Sequence, residues 1–150
     1  MTVEGIQVSG RWLALRESAD AAARAPDLVE HLGRHLPATG RRVIHDLGCG
    51  TGAMGRWLAP RLPGPQHWVV HDRDVGLLER AVADAPGPAA DGATVSVEAR
   101  RSDIIRLAPG DLAGASLIVA SALLDMLTAD ELAGMLGACT GIGCCPMLLA

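Results

Sequence analysis

The chain has 150 residues, the length of one domain, and 49% of them are apolar; with three Trp and no Tyr or Phe, its core must be built from Leu, Val, Ile, Ala and Met. All 13 basic residues are arginine and the net charge is −4, which argues against a nonspecific grip on nucleic acid, since that needs a basic field. The four cysteines (Cys49, Cys139, Cys144 and Cys145) form no C-x-x-C pair and suit neither a disulfide framework nor a zinc site, so reduced thiols and a cytoplasmic setting are expected. Residues 1–10 are polar and lack a signal-peptide core, and no apolar run reaches the roughly 20 residues of a membrane helix.

In chain order, residues 11–24 read as a helix with Trp12, Leu15, Ala19, Ala22 and Ala23 on one stripe. Pro26 suits the first turn of a second helix, with Asp27 beside it and Leu28, Val29, Leu32 and Leu36 on one face, ending at 37–40. Residues 42–47 form a short apolar run that feeds a glycine cluster, a buried strand followed by a turn. A helix over 53–62 is closed by Pro63-Gly64-Pro65, a second strand occupies 67–71, and a helix over 75–85 carries Leu77, Leu78, Ala81 and Val82 at helical spacing. After a loop at 86–92, Val95 and Val97 alternate on a third strand near 94–99, and 116–120 is a fourth. Thr128-Ala129-Asp130-Glu131 is a capping box, in which the Thr hydroxyl and the Glu carboxylate each satisfy an orphan amide; it opens a helix through Leu132, Met135 and Leu136. A last apolar run starts at Met147. Strand and helix alternating from residue 42 onward predict a parallel sheet with helices on its faces. The pairs Arg41-Arg42 and Arg100-Arg101 are read as solvated strand ends rather than a phosphate site.

The sharpest signal is Asp46-Leu47-Gly48-Cys49-Gly50-Thr51-Gly52, which follows a strand and opens a helix. Glycines there permit positive φ and let a ligand touch the backbone. The string Gly50-Thr51-Gly52-Ala53-Met54-Gly55 also satisfies the G-x-G-x-x-G of nicotinamide and flavin enzymes, which alone is weak evidence. The segment 43–52, VIHDLGCGTG, resembles the first motif of the class I S-adenosylmethionine-dependent methyltransferases, in which an acidic residue precedes G-x-G-x-G. Asp46 favours this second reading: a carboxylate there would repel a dinucleotide pyrophosphate, whereas the methyltransferase cofactor has an ammonium and no phosphate.

The resemblance covers roughly residues 40–150 and implies an α/β, Rossmann-like, doubly wound parallel sheet with four strands in the order 3-2-1-4. Residues 1–40 are then a helical N-terminal cap and 41–150 the core, all in one domain. It implies S-adenosylmethionine as cofactor, with Asp46, Gly48, Cys49, Gly50 and Gly52 at the turn. Asp72 and its neighbour Arg73 end the second strand about 20 residues after the last Gly, where a carboxylate accepts from the ribose hydroxyls; Asp74 competes for that role. Asp103 would meet the adenine amino group and Ile104 would cover the ring. The backbone near Ala120 and Ser121 would lie under the cofactor, and Arg16 or Arg24 could pair with the methionine carboxylate, although Arg16 has Glu17 and Asp20 as helix neighbours. No catalytic base stands out: Asp125 reads as a solvated helix residue, and His45 and His71 on strands read as satisfied structural histidines. No metal site is read. The acceptor is unidentified, and a noncatalytic cofactor-binding remnant needing a partner, or an NAD-dependent oxidoreductase domain, are the competing functions.

The family fold has seven strands. Here a fifth would begin near Pro146 and the sixth and seventh are missing, so the chain is expected to be truncated before strands 5–7 or completed by a partner; Cys144-Cys145 beside this end point the same way. An exposed sheet edge is then an association hazard.

Overall fold

A computed structural model describes residues 9–121, 123–142 and 147–149 of the chain. The segment with Cys144, Cys145 and Pro146 lies outside the described residues, as do Ala122 and residues 1–8.

The alternating pattern folds into one all-parallel sheet of five strands in the order β3-β2-β1-β4-β5. The strands are β1 (Arg42–Leu47), β2 (Gln66–Asp72), β3 (Val95–Arg101), β4 (Leu117–Ala120) and β5 (Met147–Leu149). The expected order 3-2-1-4 holds, and the apolar run at 147 adds a short fifth strand beside β4, in register Ile118↔Met147. The fourth strand, the expected sheet edge, therefore has a neighbour on both sides. The helices are α1 (Gly10–Ala23), α2 (Pro26–Gly33), α3 (Ala53–Leu58), α4 (Val75–Ala83) and α5 (Ala129–Thr140). Helix α3 is shorter than its apolar spacing predicts because Pro60 enters a tighter 3-10 turn at Ala59–Arg61. Thr128 and Glu131 make both halves of the expected capping box at the start of α5.

Strand alternation sorts the core into two layers. On one face Ile44, Trp68, Val70, Leu117 and Val119 pack against α2, α3 and α4 through Val29, Leu32, Met54, Trp57, Leu58, Leu78 and Ala81. On the other, Leu47, Ile118 and Ala120 meet α5 through Met135, Ala138 and Cys139. Two sequence expectations change here. Helix α1 buries no residue, and Trp12 and Leu15 on its expected stripe are 51% and 74% exposed. Arg42, expected to be solvated, is buried and donates from Nε and Nη2 to the Pro37 carbonyl.

Between β3 and β4 the chain makes two short 3-10 turns, Ile104–Arg106 and Pro109–Leu112, where a crossover helix is usual. The sheet face beside them is polar. His67 bridges Ser96 Oγ at 2.7 Å and Glu98 Oε2 at 2.9 Å, and Arg100 pairs with Glu98 at 2.8 Å. Deeper in, His45 Nδ1 and His71 Nε2 lie 2.8 Å apart with both rings buried. Burial pushes both imidazoles from 6.5 down to about 4, and Arg100 works in the same direction on each. The unfolded chain therefore takes up protons first. The pair's contribution is intact above pH 6.5 and is lost as pH falls toward 4, a change of order 3 kcal/mol for the first proton. The imidazole C2 protons of His45 and His71, followed by NMR, should keep neutral-form shifts down to about pH 5, well below the midpoint of a free histidine. Titration of either ring near 6.5 would contradict this burial.

Candidate functional site

The turn after β1 takes its shape from three glycines in the left-handed region, Gly48 at φ 66°, Gly50 at φ 55° and Gly52 at φ 86°. A Cβ would also lie 3.1 Å from Leu13 Cδ1 of α1 at Gly50, and 3.1 Å from Leu123 Cδ1 at Gly48. The turn is pinned to the end of β2. Asp72 Oδ2 accepts from the Gly50 N–H at 3.0 Å, its Oδ1 accepts from the Asp74 N–H at 2.9 Å, and the Cys49 N–H donates to the His71 carbonyl at 2.9 Å. The Cys49 thiol faces the Gly50 carbonyl at 3.3 Å. Burial first, then the Asp46 and Asp72 carboxylates, push that thiol far up from its ordinary value, so it is not a nucleophile.

Asp46 stands on the α3/α4 face of the sheet, in register between Val70 of β2 and Val119 of β4. It is 1% exposed and its Oδ2 has no hydrogen-bond partner. Desolvation raises its carboxyl from 3.8 to about 7, against the pull of the Arg24 charge. Arg24, the residue that ends α1, donates from Nη2 to Ser121 Oγ at 3.4 Å, and its guanidinium lies 5.5 Å from the Trp57 ring centre. Its Nη1 is buried without a partner. A buried polar group left unmade costs about 1–3 kcal/mol, more when charged. An acceptor and a donor left so beside one turn are complementary to a ligand that carries both an ammonium and a carboxylate. Asp46 therefore does not cap the following helix.

Of the two arginines singled out by sequence, Arg16 is engaged elsewhere: it holds Asp20 through two bonds of 2.8 and 3.1 Å on its own helix. Arg24 is the one that reaches the site, because the chain between α1 and α2 swings it over the ends of β1 and β4. Asp74 caps α4, accepting from the Leu77 N–H at 3.2 Å, which leaves Asp72 as the carboxylate facing the glycine turn. Arg73 follows it, and its carbonyl accepts from Arg101 Nε at 3.3 Å. Asp103 caps the turn at Ile104–Arg106, accepting from the Ile105 N–H at 3.3 Å, with Arg106 3.6 Å away. Ile104 is partly buried against the α5 layer. A cavity of about 230 Å³ beneath this turn is lined by His71, Arg100, Ser102, Asp103 and Arg106, among others.

Arg56 escaped the sequence reading. It donates to the Thr51 carbonyl at 2.6 Å and to the Thr51 hydroxyl at 3.2 Å, and its Nε lies 2.8 Å from Glu17 of α1. It ties the glycine turn to the N-terminal helix. Its place one helical turn after Gly52 was a local clue; its partner Glu17, far off in sequence, was not.

No protein-family model matches the chain, and no curated protein matches it. Solved structures do. Phosphoethanolamine N-methyltransferase 1 of Haemonchus contortus, in complex with phosphoethanolamine and S-adenosylhomocysteine, is 18% identical with a TM-score of 0.56, over 89% of this chain and 24% of that one. Magnesium protoporphyrin IX methyltransferase of Synechocystis, with bound S-adenosylmethionine, is 18% identical with a TM-score of 0.55, over 89% and 58%. An S-adenosylmethionine-dependent methyltransferase of Mesorhizobium loti is 23% identical with a TM-score of 0.51, over 81% and 50%. The chain thus spans less than two thirds of the length of each. Among the described residues no helix is long and apolar enough to cross a membrane. Strand order, the glycine turn after β1 and these likenesses together make this the fold of the class I S-adenosylmethionine-dependent methyltransferases.

Proposed function

We propose that the chain binds S-adenosylmethionine at the glycine turn and belongs to an enzyme that transfers its methyl group to an acceptor. The observation that carries this reading is the buried, unpartnered Asp46 Oδ2 and Arg24 Nη1. A dinucleotide offers a pyrophosphate at this turn, and Asp46 would oppose it; an amino-acid head satisfies both groups.

When bound, the cofactor supplies a methyl group on a sulfonium, which leaves by displacement without needing an acid. Asp46 accepts from the ammonium. Arg24, braced by Ser121, donates to the carboxylate. Asp72 keeps one lone pair on each oxygen beyond its bonds to Gly50 and Asp74, and these accept from the ribose hydroxyls. Asp103 and Ile104 hold the base. The protein's contribution is then chiefly proximity and orientation. A base is needed only for an acceptor that must lose a proton, and His45 and His71, which face each other, do not supply one.

Calorimetry with S-adenosylhomocysteine and with NAD tests the reading: the first binds and the second does not. NAD binding alone would overturn it. Labelled cofactor then separates an enzyme, which turns over, from a noncatalytic cofactor-binding module, which does not. Asp72→Ala removes a charged acceptor worth about 1.5–3 kcal/mol, so S-adenosylhomocysteine should bind roughly ten- to hundredfold more weakly. Unchanged affinity would remove Asp72 from the site. A reducing, cytoplasmic setting belongs to the same proposal, supported by the buried free thiols of Cys49 and Cys139. So does self-association through the outer edge of the sheet, which sedimentation would detect as concentration-dependent mass.

A further inference from the structure

The C-terminal ends of three neighbouring strands are joined by a chain of side chains that the proposed reaction does not use. On β1, His45 Nδ1 lies 2.8 Å from Nε2 of His71 on β2. His71 Nδ1 lies 3.0 Å from Oγ of Ser102, the residue that follows β3. The Ser102 hydroxyl faces the Arg100 carbonyl at 3.5 Å, an acceptor only, so the hydroxyl donates there and accepts from His71 Nδ1–H. That assignment leaves His71 Nε2 to accept from His45 Nδ1–H, a tautomer fixed by the network rather than by observed hydrogens. Ser102 is held a second time, because its N–H donates to the Asp72 carbonyl at 3.0 Å.

Two buried imidazoles in a sheet interior are an expensive choice where Val or Leu would pack as well. What they reach is the start of the segment 102–107. That segment is not itself a helix but a 3-10 turn capped by its own Asp103, with Ile104 and Leu107 packed against the α5 layer. Its side chains Asp103 and Ile104 are the ones the proposed site offers to the cofactor's base. Packing holds its apolar side chains, and the bond from His71 to the Ser102 side chain pins its first residue to the sheet.

We propose that His71, braced by His45, is a positioning residue: through Ser102 it sets where Asp103 and Ile104 stand, and so governs recognition of the adenine end of the cofactor. This role rests on the cofactor reading above. Both rings must be neutral for the chain of bonds to run as assigned. Burial keeps them so, with His67, Glu98 and Arg100 of β2 and β3, and Asp111 of the following turn, as the charged or titratable groups around them.

The test compares S-adenosylhomocysteine with its deaminated analogue, S-inosylhomocysteine, which lacks the adenine amino group that Asp103 would accept from. The unaltered chain should prefer the adenine ligand by roughly ten- to hundredfold, as expected for one charged hydrogen bond. In His71→Leu and in Ser102→Ala that preference should collapse toward one. His71→Asn, whose amide can occupy the place of Nδ1–H, should restore part of it. Ser102→Ala guards against a His71 variant that fails to fold, since it leaves the buried ring in place. A preference unchanged in Ser102→Ala, or equal binding of both ligands by the unaltered chain, would overturn the positioning role. Failure of the unaltered chain to bind S-adenosylhomocysteine at all would overturn the cofactor reading, and this role with it.

Discussion

Asp46→Asn is expected to make the unliganded chain more stable and its S-adenosylhomocysteine complex far weaker. The carboxyl of Asp46 is raised from 3.8 to about 7 by burial. The folded chain therefore holds this proton more tightly than the unfolded chain does. Stability from this group grows as pH falls from about 7 toward 3.8 and is withheld above pH 7, where the ionised form must be kept in the core. The withheld amount is of order 4 kcal/mol at pH 8. Asparagine removes it, so the melting temperature at pH 8 should rise by roughly 5 °C or more, and stability should fall more steeply between pH 7 and 4, because the loss from the histidine pair is no longer offset. The same change takes away the carboxylate that, in the proposed site, would answer the ligand ammonium. Breaking a buried charge pair costs about 3–5 kcal/mol, or roughly 10²–10⁴ in affinity. Binding also needs Asp46 ionised, so the unaltered chain should release a proton on taking up S-adenosylhomocysteine below pH 7, visible by calorimetry in buffers of differing ionisation enthalpy. A variant that loses stability and keeps its affinity would make Asp46 a structural residue.

Gly50→Val should abolish binding while leaving the far-ultraviolet circular dichroism spectrum nearly unchanged. Gly50 sits at φ 55° and donates its N–H to Asp72 at 3.0 Å. A β-branched residue there is strained by about 1–3 kcal/mol. Its Cβ would also meet Leu13 Cδ1 at 3.1 Å, so the end of the Leu13 side chain must give way by a few tenths of an ångström. The sheet does not depend on this position, whereas the proposed cofactor would lie against it. Retained binding would reduce the turn to a connection between strand and helix.

The layered core was legible in the sequence because its signals are local. Apolar runs at 42–47, 67–71 and 117–120 are strands buried on both faces, and Asp46 with Gly48, Gly50 and Gly52 announces the turn without any tertiary information. Misreadings arose where contacts outside the helix and strand periodicity decide. Trp12 and Leu15 lie at helical spacing, yet both stay exposed, with Arg16 stacked over the Trp12 ring. Arg42 looked like a solvated strand end, yet the Pro37 carbonyl draws it inward. The choice of Arg24 over Arg16 turns on Ser121, a residue 97 positions away. The histidine pair joins residues 26 apart, a pairing that only the strand register creates.

Helix α1 covers the glycine turn without contributing a single buried residue to the core. Amide hydrogen exchange should rank the parts of the molecule accordingly. Amides of β1, β2 and β4, enclosed by both layers, should exchange only on global unfolding, while those of α1 open at a small fraction of that free energy. Besides Arg24 and the packing of Ala21 on the core, it is held over the turn by the Glu17–Arg56 pair at 2.8 Å, and a partly exposed ion pair contributes little. A ligand that bridges Arg24 to Asp46 would change this order, drawing α1 into the slowly exchanging set while the sheet's own exchange stays as it was.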